Sequence, residues 1–372
     1  MNGTKYNALF MSLEKDILAG KYSAGAMLPS ENALTRRFKV SRSTVQQAFR
    51  ELEKVGLIAR SRGRGTFITR RGLSRKIGLI VPGVASSEFF PPIVCEIGRL
   101  VRESGRTLLF GEVYSADETD RLHQVRELAA EFIHNRVAGV VYQPIEGLPG
   151  SKEANERILS VFRRAKIPVV LLDSDVAPAP ARSGFDVVGI NDQEACMRLT
   201  DHLLSVGART VHFLQSPNCA AADENRYIGM LTALMRAGRL RQDRQPLLVA
   251  APDDVRAVRR HLKGGRPDAF ICGNDRLAAE FCQTLAGLGI SVPEDMLLAG
   301  FGDLQIARLM TPPLTTVRQS ACQLARVAFE RLLERIENPA LLPVEILLSA
   351  PLVVRASTEV GLVRTSGERK RK

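Results

Sequence analysis

The sequence predicts an α/β protein with a two-lobed body of doubly wound parallel sheets, preceded by a small helical head that carries a β-hairpin. Three observations lead there. First, 372 residues at about 100–200 per domain make two or three domains. Second, strand-like apolar runs alternate with helical segments across residues 77–360, the signature of repeated βα units. Third, the charge is uneven. Residues 1–76 hold 16 Lys/Arg against 5 Asp/Glu, residues 77–360 hold 31 against 34, and residues 361–372 hold 5 against 1. A small basic head on a near-neutral body points to a polyanionic partner, with nucleic acid first.

Composition removes several classes. Apolar residues at 45% and charged residues at 25% exclude a disordered or fibrous chain. No run approaches the ~20 apolar residues of a membrane span. The first sixteen residues lack the apolar core of a signal peptide, so a cytoplasmic protein is expected. Cys95, Cys196, Cys219, Cys272, Cys282 and Cys322 form no C-x-x-C pair and no zinc-ligand spacing. They read as reduced thiols, and neither metal nor cofactor is expected.

In the head, Leu9, Leu13 and Ile17 form one stripe of a helix over residues 6–19. Pro29-Ser30-Glu31 opens a second helix, with Ser30 as its cap, running to about Phe38. Ser41 caps a third that reaches Val55. At about 100° per residue, Val45, Ala48, Phe49, Leu52 and Val55 share one face of that helix. Arg42, Ser43, Gln46, Gln47 and Arg50 share the other. Those side chains hydrogen-bond base edges and phosphates, and almost no carboxylate interrupts them. Two short helices joined by a tight turn make a helix-turn-helix. Strand residues 57–59, the basic glycine turn at 60–65 and strand residues 66–68 then make a wing. Gly63-x-Gly65 lacks the third glycine and the strand-to-helix setting of a nucleotide loop.

The body opens after a basic linker, RRGLSRK, at residues 70–76. Strands are expected at 77–81, 107–110, 139–142, 169–172, 187–190, 211–214, 269–272 and 296–300, with helices near 92–104, 120–135 and 152–165. So long an alternation divides into two lobes, with a ligand cleft at the carboxyl ends of the strands.

The head's G-K-Y…G…L-P-S-E, V-S-R-x-T-V, L-x-x-x-G-L-I and G-x-G-T-F resemble the winged helix-turn-helix of the GntR family of bacterial regulators, almost without a gap over residues 5–69. The resemblance implies major-groove contacts from Arg42, Ser43, Thr44 and Gln46, and wing contacts from Arg62, Gly63 and Arg64. Lys5 would touch phosphate, and Ser30, Asn32, Ser41, Gln47 and Arg50 complete the expected DNA-binding set. Asn32 departs from the arginine common after L-P-S-E.

The body's I-G-L-I-V-P, V-A-G-V-V, I-P-V-V-L-L-D, D-H-L-L-S-V-G-A-R, R-Y-I-G-M, I-C-G-N-D, V-P-E-D-M-L-L-A-G-F and P-P-L-T-T-V-R-Q resemble the LacI/GalR effector domain, which is periplasmic-binding-protein-like. A GntR head on such a body is the arabinose-repressor arrangement. It implies a ligand-responsive transcription regulator of repressor type: a homodimer reading a palindromic double-stranded DNA operator, with a carbohydrate-like effector. The domains expected are 1–69, the linker 70–76, the effector and dimerisation body 77–360, and a basic disordered tail 361–372.

By the same resemblance, Arg226 would bind sugar hydroxyls. Asp173, Asn274 and Asp275 sit where strands end, and Gln143 is counted with them. Phe89, Phe90 and Phe185 would wall the pocket, although Phe89 and Phe90 read equally well as core and Asp275 as a helix cap. Gly302 stands where the family has an aspartate, followed by Asp303. Loss of that carboxylate leaves Arg226 freer and favours an acidic sugar, unless Asp303 swings into the gap.

An enzyme is the competing class. Some GntR heads precede pyridoxal-phosphate bodies, but Lys152, Lys166 and Lys263 are the only lysines in 77–360 and none has a cofactor setting. Neither G-x-S-x-G nor H-E-x-x-H occurs.

Overall fold

The computed structural model describes residues 2–18, 21–22, 25–61, 63–69, 76–84, 87–113, 117–178, 180–241, 243 and 245–359. In the head, α1 (Asn2–Leu18), α2 (Glu31–Phe38) and α3 (Arg42–Lys54) precede β1 (Ile58–Ser61) and β2 (Gly65–Ile68). The Ser30 hydroxyl accepts from Ala33 N at 3.3 Å and starts α2. Lys39, at φ +50, ends it in the left-handed conformation. The Ser41 hydroxyl then caps α3 on Thr44 N at 3.2 Å. These two caps set the turn between the helices. Val45, Ala48, Phe49 and Leu52 of α3 pack with Leu9, Leu13, Ile17 and Leu34, and Ile58 and Ile68 of the hairpin close this core. β1 and β2 are antiparallel, from Ile58 opposite Ile68 to Ser61 opposite Gly65.

The first lobe is built from β3 (Lys76–Pro82), α4 (Phe90–Glu103), β4 (Thr107–Val113), α5 (Glu118–His134), β5 (Gly139–Tyr142), α6 (Ser151–Arg164), β6 (Val169–Leu172) and β7 (Asp186–Ile190). The second follows with α7 (Asp192–Ser205), β8 (Val211–Gln215), α8 (Ala221–Arg236), β9 (Leu247–Val249), α9 (Val255–Lys263), β10 (Ala269–Cys272), α10 (Asp275–Gly287), β11 (Leu297–Gly302), α11 (Gln305–Leu309) and β12 (Thr315–Arg318). The chain then returns through α12 (Ala321–Glu337) and β13 (Glu345–Leu348) to the first lobe, and crosses back at β14 (Leu352–Val353).

One sheet runs β13-β7-β6-β5-β3-β4 and is wholly parallel. The other runs β14-β12-β11-β10-β8-β9, with only β14 antiparallel. Each lobe is therefore an α/β layer structure, as expected from sequence. Strands such as Val140–Tyr142 and Phe270–Cys272 are buried along their whole length, because helices cover both faces of a parallel sheet. β12, β13 and β14, with the short β9, are elements the apolar pattern did not mark. No helix among the described residues is long and apolar enough to cross a membrane.

Parallel order puts the carboxyl ends of both sheets at one rim, where the lobes meet. Gln305 N donates to Glu88 Oε2 across that rim at 2.9 Å. Gly147, at φ +67, passes so close to the second lobe that an added Cβ would lie 2.6 Å from the Asn218 carbonyl oxygen.

Candidate inter-lobe cleft and nucleic-acid interface

In the head, Arg42, Ser43, Gln47 and Arg50 are exposed on one side of α3, and Gln46 and Thr44 are half-buried beside them. Asn32 is exposed on α2, and Ser30 and Ser41 serve as caps. The Ser41 hydroxyl also lies 2.8 Å from Ser43 Oγ and 2.7 Å from Thr44 Oγ1. Gly63 takes φ +76 in the wing turn, with Arg64 exposed after it. Arg62 lies outside the described residues. Lys5 is in the first turn of α1, its side chain likewise outside them.

Sequence reasoning missed the residue that organises this surface. Glu31 accepts from Arg42 Nε at 3.1 Å, Gln46 Nε2 at 3.1 Å and Arg60 Nη2 at 2.7 Å. One carboxylate thus ties α2, α3 and the wing. Burial pushes Glu31 up, yet hydrogen bonds from Arg42 and Gln46 and the charge of Arg60 hold it below the usual carboxylate range. Its signal in the sequence was the E of L-P-S-E, which also reads as a first-turn acid.

In the cleft, loop 143–146 follows β5 and is pinned by buried Asn155. That side chain accepts from Ile145 N at 3.0 Å and donates to Ile145 O at 2.9 Å. Gln143 is 3% exposed, and its Oε1 has no hydrogen-bond partner among the described residues. Asp173 follows the neighbouring strand β6 at φ +72, and its Oδ1 is likewise buried and unpartnered there. Burial, then the nearby Asp192 charge, pushes the Asp173 carboxyl up to about 7.

Arg226 comes from the second turn of α8 and is 6% exposed. Its Nε donates to Asp192 at 2.7 Å, and its Nη1 donates to Asp223 at 3.2 Å and to the Gly273 carbonyl at 2.7 Å. Its guanidinium lies 4.5 Å from the Phe301 ring centroid. The expectation of a freer Arg226 is therefore corrected: two carboxylates already hold it. Asp192 and Asp223 were not foreseen. Asn191-Asp192 closes β7 and opens α7 just as Asn274-Asp275 closes β10, so the strand-end signal was present for Asp192.

The region around Gly302 also departs from expectation. Asp303 does not turn toward Arg226. It receives Arg318 Nε at 2.6 Å, Arg308 Nη2 at 3.1 Å and Arg355 Nη2. Burial opposes it, but these arginines, Arg355 foremost, hold the carboxyl down at about 2. Gly302 has φ +130, and an added Cβ would lie 3.0 Å from Leu304 Cγ and 3.3 Å from Asp275 Oδ2. Buried Asp275 spends its two oxygens on Thr316 Oγ1 and, at 2.8 Å, on Leu304 N. Asn274 is exposed and caps α10 through Leu277 N at 2.9 Å.

Phe89 and Phe90 meet edge to face at 5.5 Å where α4 begins, half-buried on the first-lobe rim. Phe185 is a correction. It precedes β7, and Asp186 pairs with Val170 early in β6, so Phe185 lies at the amino ends of the strands, opposite the cleft. There Arg163 stacks on its ring at 4.6 Å. Lys152, Lys166 and Lys263 are all exposed, whereas a lysine that binds an aldehyde cofactor is activated by a desolvating pocket.

Comparisons with known proteins agree with this architecture. Residues 5–68 match the family described as bacterial regulatory proteins, gntR family. Residues 200–358 match the periplasmic binding protein-like domain. An arabinose metabolism transcriptional repressor of Geobacillus stearothermophilus is 26% identical, covering 95% of this chain and 98% of that protein. The solved transcription regulator GntR from Chromobacterium violaceum is 27% identical with a TM-score of 0.60, over 76% of this chain and 99% of that one. A transcriptional regulator CelR-cellobiose complex shares the fold, with a TM-score of 0.64 at 21% identity, over 86% and 92%. The chain thus joins a helix-turn-helix domain of the gntR family of bacterial regulatory proteins to a periplasmic-binding-protein-like domain.

Proposed function

We propose that this chain is a ligand-responsive transcription repressor. Its head binds a palindromic DNA operator as part of a homodimer in the cytoplasm, and its cleft binds a small carbohydrate. One observation carries the reading: an exposed Arg/Gln/Ser helix face is joined to a cleft whose buried acceptors, Gln143 Oε1 and Asp173 Oδ1, have no partner among the described residues. Buried acceptors without donors cost free energy that a hydroxylated ligand would recover. The Geobacillus relative is named for arabinose metabolism and a structural neighbour holds cellobiose, which supports the same ligand class. Ligand binding would change the preferred lobe closure and so couple to DNA affinity.

The test separates the two sites. Arg42→Ala is expected to abolish binding to a DNA site selected from a random pool, with lobe thermal stability unchanged. Asp173→Ala is expected to keep DNA affinity and lose the response to sugar. Arg226→Ala is the poorer probe, because it strands Asp192 and Asp223 as buried unpaired charges. A folded Arg42→Ala protein that still selects the same DNA would refute the head's role.

A further inference from the structure

The cleft gathers more carboxyl groups than Arg226 can pair with. Glu146, Asp173, Asp192 and Asp223 converge on that single guanidinium from the ends of β5, β6 and β7 and from α8. Asp192 and Asp223 are the two it pairs with. Glu146 has neutral partners, accepting from Ser174 Oγ at 2.8 Å and from the backbone of Ala221. Asp173 Oδ1 has none among the described residues, nor has Gln143 Oε1 on the adjacent strand end. Tyr142 pairs with Leu171 across β5 and β6, so Gln143 and Asp173 sit within one step of each other along the rim.

We infer that the cleft is built for an aminated carbohydrate, whose protonated amine is held by Asp173 and Gln143 and balanced by Glu146. This rests on the effector reading above and narrows it to a ligand class. A hydroxyl offers one donor, whereas an ammonium offers three and a positive charge. The unmet acceptors and the surplus carboxylates therefore ask for the same group. An acidic sugar would place a further anion among four carboxylates, which reverses the expectation drawn from Gly302.

The electrostatics agree in direction. Burial raises Glu146, Asp192 and Asp223 above the carboxylate range, and it raises Asp173 with help from the Asp192 charge. A bound cation stabilises their ionised forms, so binding releases the proton that Asp173 holds near neutral pH. The groups that set this response are Glu146, Asp173, Asp192, Asp223 and Arg226.

The experiment uses the full chain in thermal-shift and calorimetric titrations. The probes are glucosamine, galactosamine and mannosamine, each beside its N-acetyl derivative, its parent hexose and the matching uronate. At least one free amine is expected to bind ten times or more tighter than its neutral counterparts, and the uronates not at all. Its affinity should rise between about pH 5.5 and pH 7, where the sugar's amine stays protonated while Asp173 loses its proton, with proton release seen as a buffer-dependent heat. Glu146→Gln and Asp223→Asn, which keep hydrogen-bonding shape, should weaken the amine at least tenfold and change a neutral sugar less than threefold. A purely structural role would weaken both alike. Neutral sugars or uronates binding as well as amines would overturn the inference and leave the regulator reading standing. Silence from every sugar would overturn both the inference and the carbohydrate cleft, while Arg42-dependent DNA selection would still stand on its own.

Discussion

Asp303→Asn isolates the charge of a buried hub. The carboxylate is 1% exposed and takes Arg318 at 2.6 Å, Arg308 at 3.1 Å and Arg355. It joins β12, α11 and the segment after β14, so it ties the last crossing of the chain to the second lobe. Asparagine preserves the shape and tolerates the φ of +52 that most residues avoid. The carboxyl is held at about 2 against an ordinary 3.8. At 1.36 kcal/mol per tenfold, that corresponds to roughly 2 kcal/mol of stability at neutral pH. Arg308 and Arg318 are half-exposed, so water screens their share and Arg355 carries most of it. For a body of this size, about 2 kcal/mol lowers Tm by roughly 3–4 °C. Because the folded value lies below the unfolded one, the stabilisation is complete above pH 4 and disappears as pH falls through 2. Urea melts of both proteins from pH 7 to pH 2.5 should therefore show the difference shrinking to about a third of its neutral value. A difference under about 0.5 kcal/mol at pH 7, within the range of an ordinary surface change, would refute the hub. So would a difference that persists unchanged at pH 2.5.

Other outcomes follow from the same geometry. Asp173 at about 7 and Asp275 at about 6 are raised acids, so the native state holds their protons more tightly than the unfolded chain. Body stability should fall as pH rises from 5.5 to 8, read by calorimetry, and a rise over that interval would contradict the buried-acid account. Gly147→Ala should oppose lobe closure, since its Cβ meets the Asn218 carbonyl oxygen at 2.6 Å. Small-angle scattering should show a larger radius of gyration, and an unchanged profile would count against close lobe contact. Glu31→Ala should cost the head about 1–2 kcal/mol and loosen Arg42 and Arg60, giving weaker site-selective DNA binding at equal ionic strength.

Much of the architecture was legible because its signals are local. Ser30 and Ser41 announce their helices through a hydroxyl three residues from the amide it caps. Buried parallel strands such as 139–142 and 269–272 are short and continuously apolar, since both faces are covered. The later elements escaped for the converse reason. β12 (TTVR) is polar in composition, yet Thr315 and Thr316 are fully buried because their hydroxyls bond within the second lobe, to Thr358 and Asp275 among others. β13 lies at a sheet edge and exposes alternate residues. Phe185 was misplaced because strand direction, which decides which end faces the cleft, is set by topology.

Sequence by itself determined the division of labour. Charge counts, caps and helical periodicity specified a basic helix-turn-helix head, and βα alternation specified a two-lobed body whose strand ends meet at one rim. Tertiary structure alone decided the electrostatic character of that rim. Asp192 opens α7 at the chain's first crossing between lobes, Asp223 and Arg226 come from α8, and Glu146 and Asp173 arrive from the ends of β5 and β6. Asp303 was withdrawn from the cleft by arginines up to 52 residues away. The sign and strength of an ion cluster depend on burial and on distances of a few ångströms. Neither quantity exists until strands far apart in sequence are brought to the same edge.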